Sequence, residues 1–76
     1  MRKIKVNSIY KHFKGDLYLV EDIGYDSETC EKVVIYRALY GEHKLWVRSY
    51  DSFISEVNKN NCKYRFTEVK IDSVRL

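Results

Sequence analysis

The chain has 76 residues, of which 45% are hydrophobic and 33% are charged. This size supports one domain with one modest core, and the composition excludes a disordered segment. No apolar run approaches the roughly 20 residues that cross a bilayer, and the basic N-terminus lacks the apolar stretch of a signal peptide. We therefore expect a single cytoplasmic domain over 1–76.

Charge is unevenly distributed, although the net charge is only +3. Residues 1–14 carry five basic and no acidic residues, 15–58 carry nine acidic against four basic, and 59–76 carry five basic against two acidic. If the two ends lie together in the fold, they form one basic patch that favours an anionic partner. The alternative is a solvated surface on which opposite charges pair.

Short apolar segments rich in β-branched and aromatic residues predict strands separated by turns. The first hairpin joins 10–13 to 17–20 through Lys14-Gly15-Asp16, because glycine accepts the positive φ that such turns need. We expect the second strand to end near Gly24.

The central hairpin carries the strongest strand signal, an apolar run over 33–40. The chain turns at 41–44 and returns as a strand over 45–48. Residues 51–57 predict a short helical turn, with Asp51 or Ser52 able to cap its first amides.

The last part of the chain predicts a loop at 58–61 and a further strand over 64–67. Residues 69–71 alternate with shifted parity, which indicates a bulge or another strand that 4–6 could pair with. About five short antiparallel strands, with one helical turn before the last, are typical of a small SH3-like barrel. We expect this all-β fold.

The length of the turn at 41–44 fixes which side chains of the central hairpin share a face. A two- or four-residue turn places Tyr40 opposite Leu45 and Arg37 opposite Arg48. The face expected to form the core then consists of Val34, Tyr36, Ala38, Tyr40, Leu45 and Val47. The opposite face consists of Arg37, Leu39, Trp46 and Arg48. A three- or five-residue loop would exchange the faces of the returning strand.

The second of these faces is the candidate ligand-binding site. Trp46 beside two guanidinium groups can stack a base or an aromatic side chain, while the opposed arginines attract an anion. Tyr50 lies nearby in the sequence, so the candidate residues are Arg37, Trp46, Arg48 and Tyr50. Alternatively, Trp46 covers a second core layer and both arginines extend outward.

The sequence favours neither a metal site nor catalysis. His12 and His43 have no ligand spacing, so we expect no metal and no cofactor. Cys30 and Cys62 are expected to be free thiols. Because Cys30 has no adjacent base and no glycine-rich phosphate loop is present, we do not expect an enzyme.

Five blocks of the sequence, together with Phe53, resemble the bacterial domain-of-unknown-function 1653 family. They are 10–15 (YKHFKG), 18–20 (YLV), 27–29 (SET), 34–41 (VIYRALYG) and 45–48 (LWVR). The resemblance covers 10–66, between basic terminal extensions, and implies an SH3-like barrel without an established activity. Asp26 stands where the family usually has histidine, and Ser49 where it usually has proline.

These features predict a small non-catalytic binding domain. A protein or peptide held in an aromatic groove is the favoured ligand. The alternative is weak nucleic-acid binding, in which Trp46 stacks a base and the arginines and basic ends contact phosphates. We expect a monomer, or a weak homodimer if one apolar patch is uncovered. That patch consists of Val33, Ile35, Leu39 and Trp46.

Overall fold

The structure is a computed structural model that describes residues 2–70. Its elements are β1 (Ile9–His12), β2 (Leu17–Tyr25), β3 (Lys32–Ala38), β4 (Leu45–Ser49), α1 (Tyr50–Phe53), β5 (Glu56–Lys59), β6 (Cys62–Tyr64) and β7 (Phe66–Glu68). Five strands form one antiparallel sheet in the order β4-β3-β2-β1-β7, and β5 and β6 form a separate hairpin. The all-β class with a short helix before the last strands is confirmed, with seven strands in the described part instead of about five.

Two turns form where the sequence supplies residues that accept a positive φ. Gly15 has a φ of 113° and donates its N–H to the His12 carbonyl at 2.8 Å, which closes the predicted first hairpin. Asn60 and Asn61 have φ values of 52° and 61°. Two consecutive positive φ angles are what a tight type I′ hairpin turn needs. Of the segment predicted as a loop at 58–61, residues 60–61 are therefore the tip of the β5–β6 hairpin, whereas 58–59 belong to β5.

The helix and the last strands differ from the prediction. α1 ends at Phe53, so the helical turn predicted over 51–57 is too long. The strand predicted over 64–67 breaks at Arg65, whose N–H donates to the Ser55 carbonyl and whose carbonyl accepts from Phe13, both at 2.9 Å. Arg65 is thus the point at which the chain leaves the small hairpin and joins the large sheet.

The ends of the described chain meet beside β7. Residues 4–6 form no strand, and Val69 extends the β1–β7 pairing by donating its N–H to the Ile9 carbonyl at 2.9 Å. The Nζ of Lys5 lies 3.6 Å from a carboxylate oxygen of Glu68. These residues of the two ends therefore lie together, which is the condition set above for a shared basic patch, and Lys5 pairs there with an acid. The pairing considered at Ile71 lies outside the described residues.

Aromatic side chains dominate the core. Phe53 and Phe66 are stacked with ring centroids 4.0 Å apart, and the Tyr36 ring meets the edge of this pair at 5.2 and 5.4 Å. Two strands, β2 and β1, separate β3 from β7, so contact between Tyr36 and Phe66 requires a strongly curled sheet. This curvature is compatible with an SH3-like barrel. The buried residues are Ile4, Tyr10, Val20, Val34, Tyr36, Ala38, Phe53 and Phe66.

Candidate functional site

The register of the central hairpin differs from the prediction. Arg37 lies opposite Leu45 and Tyr36 opposite Trp46, so the predicted pairing of Tyr40 with Leu45 is wrong. The Leu39 N–H donates to the Leu17 carbonyl at 3.0 Å, and the Ala38 N–H donates to the Lys44 carbonyl at 2.9 Å. β3 therefore ends at Ala38, and residues 39–43 form a five-residue loop.

This loop exchanges the two faces of β4. Trp46 and Arg48 lie opposite Tyr36 and Val34, and so they belong to the inner face, the side of the sheet that faces the core. Leu45 and Val47 lie on the outer face and are 48% and 62% exposed, not buried as predicted. The predicted apolar patch is likewise divided, because Val33 and Ile35 lie on the outer face and Trp46 on the inner face.

Two of the four candidate residues lie away from the others. The Nε of Arg37 donates to a Glu21 carboxylate oxygen at 2.6 Å on the outer face, and hydrogen bonding to this carboxylate raises the pKa of Arg37. Tyr50 begins α1, where its hydroxyl accepts the Ile4 N–H at 3.0 Å. The predicted pairing of Arg37 with Arg48 is therefore wrong, and only Trp46 and Arg48 share a surface.

Trp46 lines a shallow hollow of about 300 Å³ at the open end of the inner face. Trp46 is 46% exposed and Tyr40 is 43% exposed, while the Tyr40 hydroxyl lies 2.7 Å from the Tyr18 hydroxyl. The hollow is lined by Ala38, Tyr40, Glu42, Lys44 and Trp46. An apolar side chain of a ligand could pack there against the Trp46 and Tyr40 rings and against Ala38.

Arg48 is held in place by neutral groups. Its Nε donates to the Tyr36 hydroxyl at 3.2 Å, and a terminal nitrogen donates to the Ser52 Oγ at 3.0 Å. The centre of its guanidinium group lies 5.8 Å from the Phe66 ring centroid. Hydroxyl partners orient the group without neutralising its charge.

His12 adjoins this arginine, which the sequence did not predict. Its ring packs 4.9 Å from the Phe66 centroid, and its Nδ1 accepts the Lys14 N–H at 3.1 Å. Burial lowers the pKa of His12 below 6.5, and the charges of Arg48, Arg65 and Lys14 lower it further, against a smaller opposing effect of Asp16. Folding thus brings together basic groups from three separate parts of the chain. No sequence signal marks this convergence.

In the described part of the chain, the edge of β4 that faces away from β3 has no pairing partner. In an antiparallel pair, the residues of one strand bond alternately to the partner strand and away from it. Lys44 bonds to Ala38 on β3, so Trp46 and Arg48 also bond to β3. Leu45 and Val47 therefore direct their N–H and C=O groups away from β3. Within residues 2–70, no strand pairs with this side of β4.

The opposite edge of the sheet, at β7, is covered. One terminal nitrogen of Arg2 donates to the Ile54 carbonyl at 3.0 Å, and the other donates to the Phe66 carbonyl, which points away from β1. Its guanidinium also lies 3.9 Å over the Tyr64 ring. Proteins commonly protect sheet edges from pairing with other chains in such ways. The two edges of this sheet are therefore not equivalent.

The two residues that depart from the family pattern have structural roles. The Asp26 carboxylate accepts the N–H groups of Thr29 and Glu28 at 3.0 and 2.8 Å, and these hydrogen bonds lower its pKa below 3.8. Ser49 has φ −59° and ψ 146°, which proline also adopts. Its Oγ accepts the Ser52 N–H at 3.1 Å, so Ser49 caps α1 in place of the predicted Asp51 or Ser52.

Cys30 and Cys62 are free thiols, as expected. Among residues 2–70, no three His, Cys, Asp or Glu side chains are grouped closely enough to hold a metal ion. No helix in the described part of the chain is long and apolar enough to cross a membrane.

Comparison with known proteins relates this arrangement to a family. A family model described as a protein of unknown function, DUF1653, matches residues 8–68. The chain belongs to the DUF1653 family. The match encloses every strand from β1 to β7 and confirms the resemblance seen in the sequence.

A DUF1653 protein of known structure has the same fold. The crystal structure of this protein, from Bordetella bronchiseptica, aligns with a TM-score of 0.77 and 27% sequence identity. The alignment covers 93% of this chain and 95% of that chain. Among curated proteins, none matches the sequence.

Proposed function

We propose that this DUF1653 domain is a small, non-catalytic module that binds an extended peptide segment of a partner protein along the edge of β4. The observation that supports this most strongly is that the backbone of Leu45 and Val47 has no partner strand among residues 2–70, in a strand whose apolar side chains are exposed on both faces. An edge of this kind accepts an added strand.

The backbone of β4 can form hydrogen bonds with a peptide of any sequence. Leu45 and Val47 each offer one N–H donor and one C=O acceptor, spaced as an incoming strand requires. Each such hydrogen bond contributes about 0.5–1.5 kcal/mol after the exchange with water is counted. These bonds alone would give weak binding, so side-chain contacts must supply the selectivity.

The two faces of β4 offer different contacts to alternate side chains of the peptide. On the outer face, Leu45 and Val47 present exposed apolar surface. On the inner face, Trp46 borders the hollow, and Arg48 follows two residues later. Alternate side chains of a bound strand would therefore contact exposed apolar side chains on the outer face, and an aromatic and a charged side chain on the inner face.

A selection experiment tests this proposal. A phage library of random decapeptides is panned on the immobilised domain, and the enriched peptides are titrated against wild type and three variants. Trp46→Ala should weaken binding at least tenfold, because a tryptophan at the centre of an interface commonly contributes most. Val47→Pro removes one outward N–H without removing a bond to β3 and should weaken binding about two- to tenfold, the effect of one lost hydrogen bond.

Tyr25→Ala is the matched control. Tyr25 is 69% exposed and is the last residue of β2, paired with Lys32, whereas Trp46 lies opposite Tyr36 further along β3. Replacing Tyr25 should therefore not change the affinity. Urea unfolding of each variant establishes that Val47→Pro is folded, and Trp46→Ala tests the same surface without altering the backbone. Equal binding by wild type and both β4 variants, or no enrichment above an uncoated surface, contradicts the proposal.

Nucleic-acid binding is a second candidate, favoured by the basic groups beside Trp46. Arg48, Arg65 and Lys14 all lie close enough to lower the pKa of His12, and Trp46 offers an exposed ring for stacking. If this candidate is correct, a thymine decanucleotide quenches Trp46 fluorescence, and its Kd rises steeply with salt. Peptide binding predicts no quenching by this oligonucleotide.

A further inference from the structure

Two arginines, Arg48 on the inner face of β4 and Arg65 at the break between β6 and β7, are linked through one turn. Arg48 donates to the Ser52 Oγ at 3.0 Å, the Ser55 hydroxyl donates to the Ser52 carbonyl at 2.6 Å, and the Arg65 Nε donates to the Ser55 Oγ at 3.1 Å. The segment 52–55 therefore fixes both guanidinium groups, one from β4 and one from the break between β6 and β7.

Neither arginine is neutralised by a carboxylate within the described residues. The ion pairs there join Lys5 to Glu68, Arg37 to Glu21 and Lys44 to Glu42. A guanidinium group has five N–H donors. Arg48 uses two of them in the bonds to Tyr36 and Ser52, and Arg65 uses one in its side-chain bond to Ser55. Both retain donors for a further acceptor.

His12 adds a third polar group to this surface. Its Nδ1 accepts the Lys14 N–H, so in the neutral imidazole the proton is on Nε2. The His12 ring lies 4.9 Å from the centroid of Phe66, the same ring that the Arg48 guanidinium approaches to 5.8 Å, and the charges of Arg48, Arg65 and Lys14 all lower the pKa of His12. The charges facing His12 are these three and Asp16, the one acid among them.

We propose that Arg48 and Arg65, with His12 beside them, form a site for an anionic group of the bound peptide, either a side-chain carboxylate or a phosphoryl group. This inference rests on the proposed function, for which it names the ligand chemistry. Arginine suits both groups, because its planar donors form paired hydrogen bonds with two oxygens of one anion.

The spacing along β4 gives the proposed motif. Trp46 and Arg48 lie on the same face two residues apart, which separates them by about 7 Å along a strand. A peptide strand paired with β4 has the same repeat. A ligand that places an apolar side chain in the hollow beside Trp46 would therefore present its anionic group two residues away.

The test uses small anions, so that it does not depend on the β4 backbone. N-acetylglutamate amide and phosphoserine amide are titrated separately into the labelled protein at constant ionic strength, and the His12 ring protons are followed by NMR across pH. A bound anion offsets the positive charges around His12, so its pKa should rise and its resonances should shift saturably. The two arms distinguish a carboxylate ligand from a phosphoryl ligand.

The variants assign the site. Arg48→Gln and Arg65→Gln should each weaken anion binding at least fivefold, whereas Lys59→Gln removes the same charge from a side chain of β5 that takes no part in these hydrogen bonds and should leave it unchanged. Arg48→Lys preserves the charge and serves as the test if Arg48→Gln does not fold. The Arg48→Lys protein should bind the anion more weakly than wild type, because lysine lacks the paired donors of a guanidinium group.

Two results would overturn the anion site. One is a His12 titration that neither anion changes; the other is an equal response in wild type and Arg48→Gln. Either result leaves the peptide selection to be judged separately, because a neutral peptide can still pair with β4. Conversely, anion binding without peptide enrichment would support this site and contradict the proposed function.

Discussion

Phe66 connects the stability of the core to the candidate site, and its replacement by leucine tests that connection. The Phe66 ring is 1% exposed and stacks 4.0 Å from Phe53, while the rings of His12, Tyr36 and Tyr18 lie 4.9, 5.4 and 5.6 Å away. Each aromatic pair contributes about 0.5–1.5 kcal/mol beyond the area it buries. Leucine retains most of the apolar volume but loses the four pairs, so at the lower end of this range, about 0.5 kcal/mol for each pair, Phe66→Leu should cost about 2 kcal/mol.

That cost is large for a domain of 76 residues. Stabilities of about 0.05–0.15 kcal/mol per residue give roughly 4–11 kcal/mol for a chain of this length. Phe66→Ala, at about 3–5 kcal/mol, equals the whole stability at the lower end of this range, which is why leucine is the more informative change. With a urea m-value of about 1 kcal/mol per molar, Phe66→Leu should lower the unfolding midpoint by about 2 M.

Urea unfolding followed by Trp46 fluorescence and by circular dichroism measures this shift. Val47→Ala is the control, because Val47 is 62% exposed and its truncation should change stability by less than about 0.5 kcal/mol. A Phe66→Leu protein as stable as this control would refute the reasoning that the stacked rings hold the curled sheet together.

Three further predictions concern single side chains. The free energy of unfolding should fall as pH is lowered from 6.5, because the folded-state pKa of His12 is lower and the unfolded chain binds the proton first; His12→Gln should reduce this fall. The stability supplied by the Asp26 carboxylate is present above pH 3.8 and is lost as pH falls through its lower folded-state pKa. Asp26→Asn should therefore lower the free energy of unfolding at pH 7 and make that free energy depend less on pH in the acid range. Ser49→Ala should cost about 0.5–2 kcal/mol in a urea titration through loss of the cap. Ser49→Pro should recover about 0.4–1 kcal/mol of this, because φ is −59° there, and an Ser49→Pro protein less stable than Ser49→Ala would contradict the backbone argument.

Local signals in the sequence predicted most of the sheet. The hairpin at Gly15 and the alternation in β3 depend on neighbouring residues, and both were correctly placed. The register of β4 depends on where β3 ends, which a hydrogen bond from Leu39 to Leu17 on another strand decides. No local pattern records that bond, so the predicted faces of Leu45 and Val47 were wrong.

The candidate site was predicted only where it lies within one strand. Trp46 and Arg48 share a face because they are two residues apart, and the sequence placed them together on that ground. Arg37 was assigned to the same face through the mistaken register. His12 and Arg65 join Arg48 only through the curling of the sheet and the sheet change at Arg65, which are tertiary features.

Hydrogen exchange of the β4 amides tests the peptide-binding proposal most directly. In the free domain, the amides of Leu45 and Val47 should exchange quickly, and those of Trp46 and Arg48 slowly, because only the latter donate to β3. A saturating peptide from the decapeptide selection should slow exchange at Leu45 and Val47 at least tenfold. Saturation with no added protection at these two amides would place the peptide elsewhere and contradict strand addition at β4.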